Sequence, residues 1–166
     1  MKSMTTRHLG IVLSVFAAVA LASPIASADD ADDVRAVVDM YLATESVDLE
    51  KQASLMTDDR VYIIGGTRQT DNVANMRGQI AGAKLGKALD PDATVIVTAE
   101  DVKIRVMGNA AVASFYRYWN VIPGAAAVRE GRDGGGPPNM AVTLVFEKMG
   151  RDWKIVHTHQ SNMAEN

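Results

Sequence analysis

Residues Trp153 to Ser161 read WKIVHTHQS, five residues from the end of the chain. Bulky apolar, β-branched and polar side chains alternate along it, as they do in a strand with one face in a core. By parity Trp153, Ile155, His157, His159 and Ser161 share one face, and Lys154, Val156, Thr158 and Gln160 share the other. Trp153 and Ile155 are large and apolar, so their face is predicted to point inward and to carry both histidines with it. A buried imidazole needs hydrogen-bond partners and titrates near neutrality. Two readings stand: satisfied histidines without chemistry, or a pair that contacts a ligand or moves a proton, with His159 the better acid–base candidate.

A metal is the third possibility, and the residues disfavour it. His-x-His on a strand presents two nitrogens, whereas a catalytic zinc site takes three protein ligands. The remaining histidine, His8, lies in a segment expected to be removed, and no acidic residue occupies a matching position. The glycine run "DGGGPP" (133–138) lacks phosphate-loop spacing and leads into no helix, so it reads as a flexible, lid-like loop. No metal or other cofactor is expected.

Working outward from the closing strand, "VTLVFEKMGRDW" (142–153) reads as the strand before it and its turn. "GNAAVASFYRYW" (108–119) is a hairpin turn feeding a long strand, 110–122. "VKIRVM" (102–107) alternates Val102, Ile104 and Val106 with Lys103, Arg105 and Met107. Residues 123–139 read as a loop. Nearer the start, Val34, Val37, Val38, Tyr41 and Leu42 form one helical stripe behind the acidic run Asp29 to Asp33. A short helix is expected over 48–56, a strand over 60–64 closed by Gly65-Gly66, and a third helix over 70–85 capped by Asp71. Helices first and antiparallel strands afterwards give an α+β domain.

The first 28 residues are set apart. Lys2 and Arg7 precede the apolar run LGIVLSVFAAVALA (9–22), and Ala26-Ser27-Ala28 has the small-x-small form of a cleavage site. The run is shorter than the ~20 residues of a membrane span. The expectation is a signal peptide over 1–28 and a mature domain over 29–166. That domain would be exported to the periplasm or secreted, with no membrane span. The formal charge of −3 becomes −5 without Lys2 and Arg7. No aromatic-rich basic patch exists, so nucleic acid is not an expected partner. There is no cysteine, so the core alone must hold the fold.

The closing "WKIVHTHQS", the "GNAAVASFYRYW" strand and "VTLVFEKMGRDW" resemble the nuclear transport factor two-like superfamily in its SnoaL-like branch. The ending is similar to that of the calmodulin-dependent kinase association domain. The resemblance implies a cone-shaped fold in which three N-terminal helices pack on a strongly curved, mostly antiparallel sheet enclosing a pocket, with dimerisation through the sheet. It also implies that Arg117, on one face with Ala113, Phe115 and Trp119, points into the pocket, where a ligand carboxylate would offset its charge. A bulge would instead turn Arg117 outward. The related domain's second pocket arginine is replaced here by Leu144, which predicts a more apolar pocket.

Tyr41 and Tyr62 supply hydroxyls that either line that pocket or satisfy themselves on backbone groups. The candidate pocket is therefore His157, His159, Arg117, Tyr62, Tyr41, Trp119 and Leu144. Related isomerases use a carboxylate base, and the inward parity of these strands offers none. Three functions follow: an exported protein binding a small, largely apolar molecule that carries a carboxylate in one version; an isomerase, dehydratase or cyclase using His159; or a dimerisation module with a vestigial pocket. Whether a reaction is catalysed stays open. Val156, Tyr116 and Tyr118 fall on the outer face, the expected homodimer surface.

Overall fold

A computed structural model describes residues 28–132 and 138–163. The expected leader lies outside the described residues except for Ala28, the first residue of helix α1 (Ala28–Thr44). Most of the "DGGGPP" loop lies outside them too.

Helix α1 buries the stripe read from its sequence, with Val34, Val38 and Tyr41 shielded from solvent. Helix α2 (Leu49–Ala53) is shorter than expected and starts at Asp48, whose side chain accepts from Lys51 N. Strand β1 (Met56–Ile64) and the short β2 (Thr67–Gln69) then intervene before α3 (Asn72–Leu89), so the helices are not one N-terminal group. Asp71 caps α3 by accepting from Ala74 N at 2.9 Å.

Strands β3 (Thr94–Met107), β4 (Ala110–Ile122), β5 (Met140–Met149) and β6 (Asp152–Asn162) complete a six-stranded sheet in the order β2-β1-β6-β5-β4-β3. Among the described strands only the pair β1 and β6 is parallel. The sheet stays open, with β2 and β3 at its edges. The architecture is α+β, as expected. The stretch read as loop after β4 contains a short helix, α4 (Ala125–Arg129). It is preceded by Gly124, which donates to Asp90 Oδ2 at 3.0 Å. A Cβ at Gly124 would lie 2.5 Å from Asp90 Oδ1 and 2.8 Å from Asp92 Cβ, so a side chain there would push the Asp90–Asp92 turn away.

The core lies between α1 and the inner faces of β3 to β6. Ala111, Ala113 and Phe115 of β4, Met140, Val142, Leu144 and Phe146 of β5, and Trp153 and Ile155 of β6 supply it. Two bulges shape the sheet. On β3 one extra residue falls between Glu100 and Lys103, where Asp101 takes a positive φ of 53°. On β6, Ile155 pairs with Phe146 and His157 with Val145, leaving Val156 as an extra residue.

That second bulge corrects the expected facing of the histidines. Before it, Trp153 and Ile155 point into the core; after it, Thr158 and Gln160 point inward, and His157 and His159 turn to the outer face. A one-residue offset reverses every later side chain. His159 is exposed, and half-buried His157 lies between Val61 of β1 and Val145 of β5.

Burial, then the charges of His159 and Arg60, hold His157 below its usual pKa of 6.5. The unfolded chain therefore takes up the proton at higher pH than the folded one. Stability from this group is complete above about pH 6.5 and is lost as pH falls through the lower, folded value. Wild type minus His157→Gln, followed by Tm across this range, is expected to show a deficit that grows on acidification. A difference independent of pH contradicts it.

Candidate functional site

The helices and the inner face of the sheet leave a solvent-open cavity of about 1300 Å³. From the sequence-derived set it brings together Tyr41, Tyr62, Arg117 and Trp119. His157 and His159 lie on the opposite face of the sheet, and Leu144 is fully buried in the core, so none of these three lines it. The idea that Leu144 makes the pocket more apolar is therefore corrected: β5 turns that position to the core, away from the cavity. Among the described residues no group of three His, Cys, Asp or Glu side chains could hold a metal ion.

Arg117 does face inward, and it already has an anion. Its Nη1 lies 2.5 Å from Glu45 Oε1, in an ion pair whose side chains are 4% and 10% exposed. Glu45 follows the last residue of α1 and was missed in the sequence. It continues the buried stripe Val34, Val38, Tyr41 at the next helical step, so the inward acid comes from a helix end and not from a strand. Burial raises the Glu45 pKa above the usual carboxylate value, outweighing the attraction of Arg117. Its second oxygen, Oε2, is shielded and has no hydrogen-bond partner; Arg117 Nε is in the same condition.

A second buried cation was also missed. Arg60 of β1 is only 2% exposed. It shares the inner face of its strand with Tyr62 and Ile64, and all three line the cavity. Its Nη1 donates to Thr158 Oγ1 at 3.1 Å and its Nη2 to Asn75 Oδ1 at 2.9 Å. The guanidinium lies 4.8 Å from the centre of the Tyr62 ring. Its Nε has no partner.

Gln160 joins the two tyrosines. Tyr62 Oη donates to Gln160 Oε1, and Gln160 Nε2 donates to Tyr41 Oη, each at 3.3 Å. Burial pushes both phenols above the usual tyrosine pKa, beyond any working pH for Tyr41, so they act as neutral hydroxyls. Asn75 extends the network by donating to Gln69 and accepting from Gln79 Nε2 at 2.7 Å. Leu49, Ile64, Ile80, Val95, Trp119 and Val121 supply the apolar part of the wall.

The fold and site can now be set beside known proteins. Three crystal structures show the chain's likeness to known folds. An NTF2-like protein with a cystatin-like fold from Novosphingobium aromaticivorans aligns at 15% identity with a TM-score of 0.64, over 83% of this chain and 84% of that one. An NTF2-like protein of unknown function from Pseudomonas putida aligns at 14% identity and 0.65, over 84% and 90%. A candidate dehydratase of the NTF2-like family from Streptomyces avermitilis aligns at 18% identity and 0.60, over 82% and 98%. At these identities the likeness concerns fold alone. No curated protein matches the sequence significantly. A SnoaL-like domain model matches residues 34–165, most of the chain, and the protein belongs to that family.

Proposed function

We propose that the cavity binds a small organic molecule. One observation carries this reading. Three largely buried charged side chains, Glu45, Arg60 and Arg117, and two tyrosine hydroxyls converge on one cavity of about 1300 Å³ whose remaining wall is largely apolar. An apolar pocket with a few convergent polar groups is the usual form of a small-molecule site. Burying such groups is costly, which counts against a scaffold whose pocket has no use. The test is a thermal-shift screen of small acids and lipophilic metabolites on wild type and on Val121→Trp, which fills the wall. Hits on wild type that vanish in the variant are expected. Hits equal in both, or none, contradict the reading.

A second reading is favoured by Glu45. A desolvated carboxylate with raised proton affinity is suited to general acid–base chemistry, so an isomerase- or dehydratase-type reaction stays in play with Glu45, and not His159, as the titrating group. Ring opening of a nitrobenzisoxazole probe reports such a base, since it needs only removal of a carbon-bound proton. Wild type faster than Glu45→Gln supports catalysis; equal rates remove it.

The remaining expectations are carried forward as parts of the same proposal. The mature chain begins at Asp29 and is exported, which the intact mass of the exported protein tests. A second copy covers the outer sheet face, where Tyr116 and Ile96 are each 44% exposed. Sedimentation at twice the chain mass supports the dimer and a monomer opposes it.

A further inference from the structure

We infer that Arg60 anchors a single negative charge on the ligand, a carboxylate-class monoanion whose apolar body lies against the rest of the wall. This rests on the small-molecule reading above. Among the described residues the buried charged groups of the cavity are Arg60, Arg117 and Glu45. Arg117 is neutralised by Glu45, so one positive charge remains. Glu50, Lys84, Lys87, Asp90 and Arg132 also reach the cavity but stand at its rim or are exposed, where solvent screens them.

Among the described residues no acidic side chain pairs with Arg60. Its two hydrogen-bond partners, Thr158 and Asn75, are neutral. Its sequence neighbours Asp58 and Asp59, also in β1, are exposed, and neither pairs with it. A guanidinium has five N–H donors and Arg60 uses two, with Nε left over. A buried charge without a counter-ion is costly, so an anion from outside is favoured by the charge it answers, less the cost of its own desolvation.

Thr158, Asn75 and the Tyr62 ring hold the guanidinium in place, so its remaining N–H groups are oriented before any ligand arrives. A planar carboxylate matches a guanidinium edge through two parallel hydrogen bonds. A dianion would leave a net negative charge buried, which sets the preference for one charge over two. Leu49, Ile64, Ile80, Val95 and Val121 offer the apolar body its contacts.

The test uses isosteric pairs that differ by one charge: naphthoate with naphthamide, and decanoate with decanamide. Each is titrated calorimetrically into the full-length wild type, Arg60→Met and Arg60→Lys. Each acid is expected to bind wild type at least about tenfold more tightly than its amide, the effect of one charged hydrogen bond. Arg60→Met should abolish that preference, while Arg60→Lys, which keeps the charge but loses the planar fork, should retain part of it. If acid and amide bind wild type equally, the anion assignment falls and the small-molecule reading stands. If the preference survives in Arg60→Met, another group is the anchor and the assignment falls. If neither member of any pair binds, both readings fall. Should Arg60→Met not fold, the wild-type pairs and Arg60→Lys still decide.

Discussion

Arg117→Ala is expected to destabilise the protein by about 3–5 kcal/mol, because it strips a buried carboxylate of its counter-ion. Glu45 is nearly enclosed, and among the described residues Arg117 Nη1 is the group that bonds to its carboxylate. Truncation leaves an unpaired charge that the site must protonate or flood with water. The damage should be greatest above the raised pKa of Glu45, where the carboxylate is ionised. It should shrink on acidification as Glu45 takes up a proton. Replacing both partners, Glu45→Met with Arg117→Met, should recover most of the loss, since a pair of apolar groups carries no such penalty. Urea unfolding of the two single variants and the double variant decides the matter. A single variant that loses less than about 1 kcal/mol, the range of exposed pairs, would contradict the buried-pair account.

Inserting one alanine between Val145 and Phe146, opposite Val156, should be more severe, lowering stability by more than about 4 kcal/mol. Val156 is the extra residue of the β6 bulge, between the pairs Phe146–Ile155 and Val145–His157. Given a partner, it joins the ladder and the strand resumes simple alternation. Thr158 and Gln160 would move outward, and His157 and His159 would enter the inner face. Arg60 would lose Thr158, and the two tyrosines would lose Gln160. Deleting Val156 instead sets Ile155 and His157 side by side opposite Phe146 and Val145, which keeps the native facing, and should cost far less. Far-ultraviolet circular dichroism and urea unfolding provide the readout. An insertion variant as stable as wild type would mean that β6 does not depend on the bulge.

These two variants also mark where the sequence stops speaking. The helical stripe of α1 and the alternation of β4 were legible because nothing interrupts their periods. Ala113, Phe115 and Arg117 lie inward as their parity requires. Strand β6 misled because its bulge is set by two neighbours at once. β1 also shifts register against it, between Met56 and Val61, and no residue within WKIVHTHQS announces a change of face.

Glu45 and Arg60 were legible in principle. Glu45 prolongs a stripe that already holds Val34, Val38 and Tyr41, and Arg60 stands two residues before Tyr62 within a strand whose alternate positions face inward. Both are charged residues on apolar faces, the kind of local conflict that marks functional positions. The Arg60 contacts to Thr158 and Asn75 could not be read from the chain, since they join β1 to β6 and α3 across long sequence separations.

The central claim is that the working face of the domain is the cavity wall around Arg60, and not the histidine face of β6. Nitrogen–proton correlation spectra of the full-length protein, titrated with naphthoate, test it most directly. The account predicts that the arginine Nε–H signal assigned through Arg60→Lys and the side-chain amide of Gln160 move with saturating naphthoate, while the imidazole signals of His157 and His159 stay in place. Saturable shifts at the two histidines, with Arg60 and Gln160 unmoved, would contradict it.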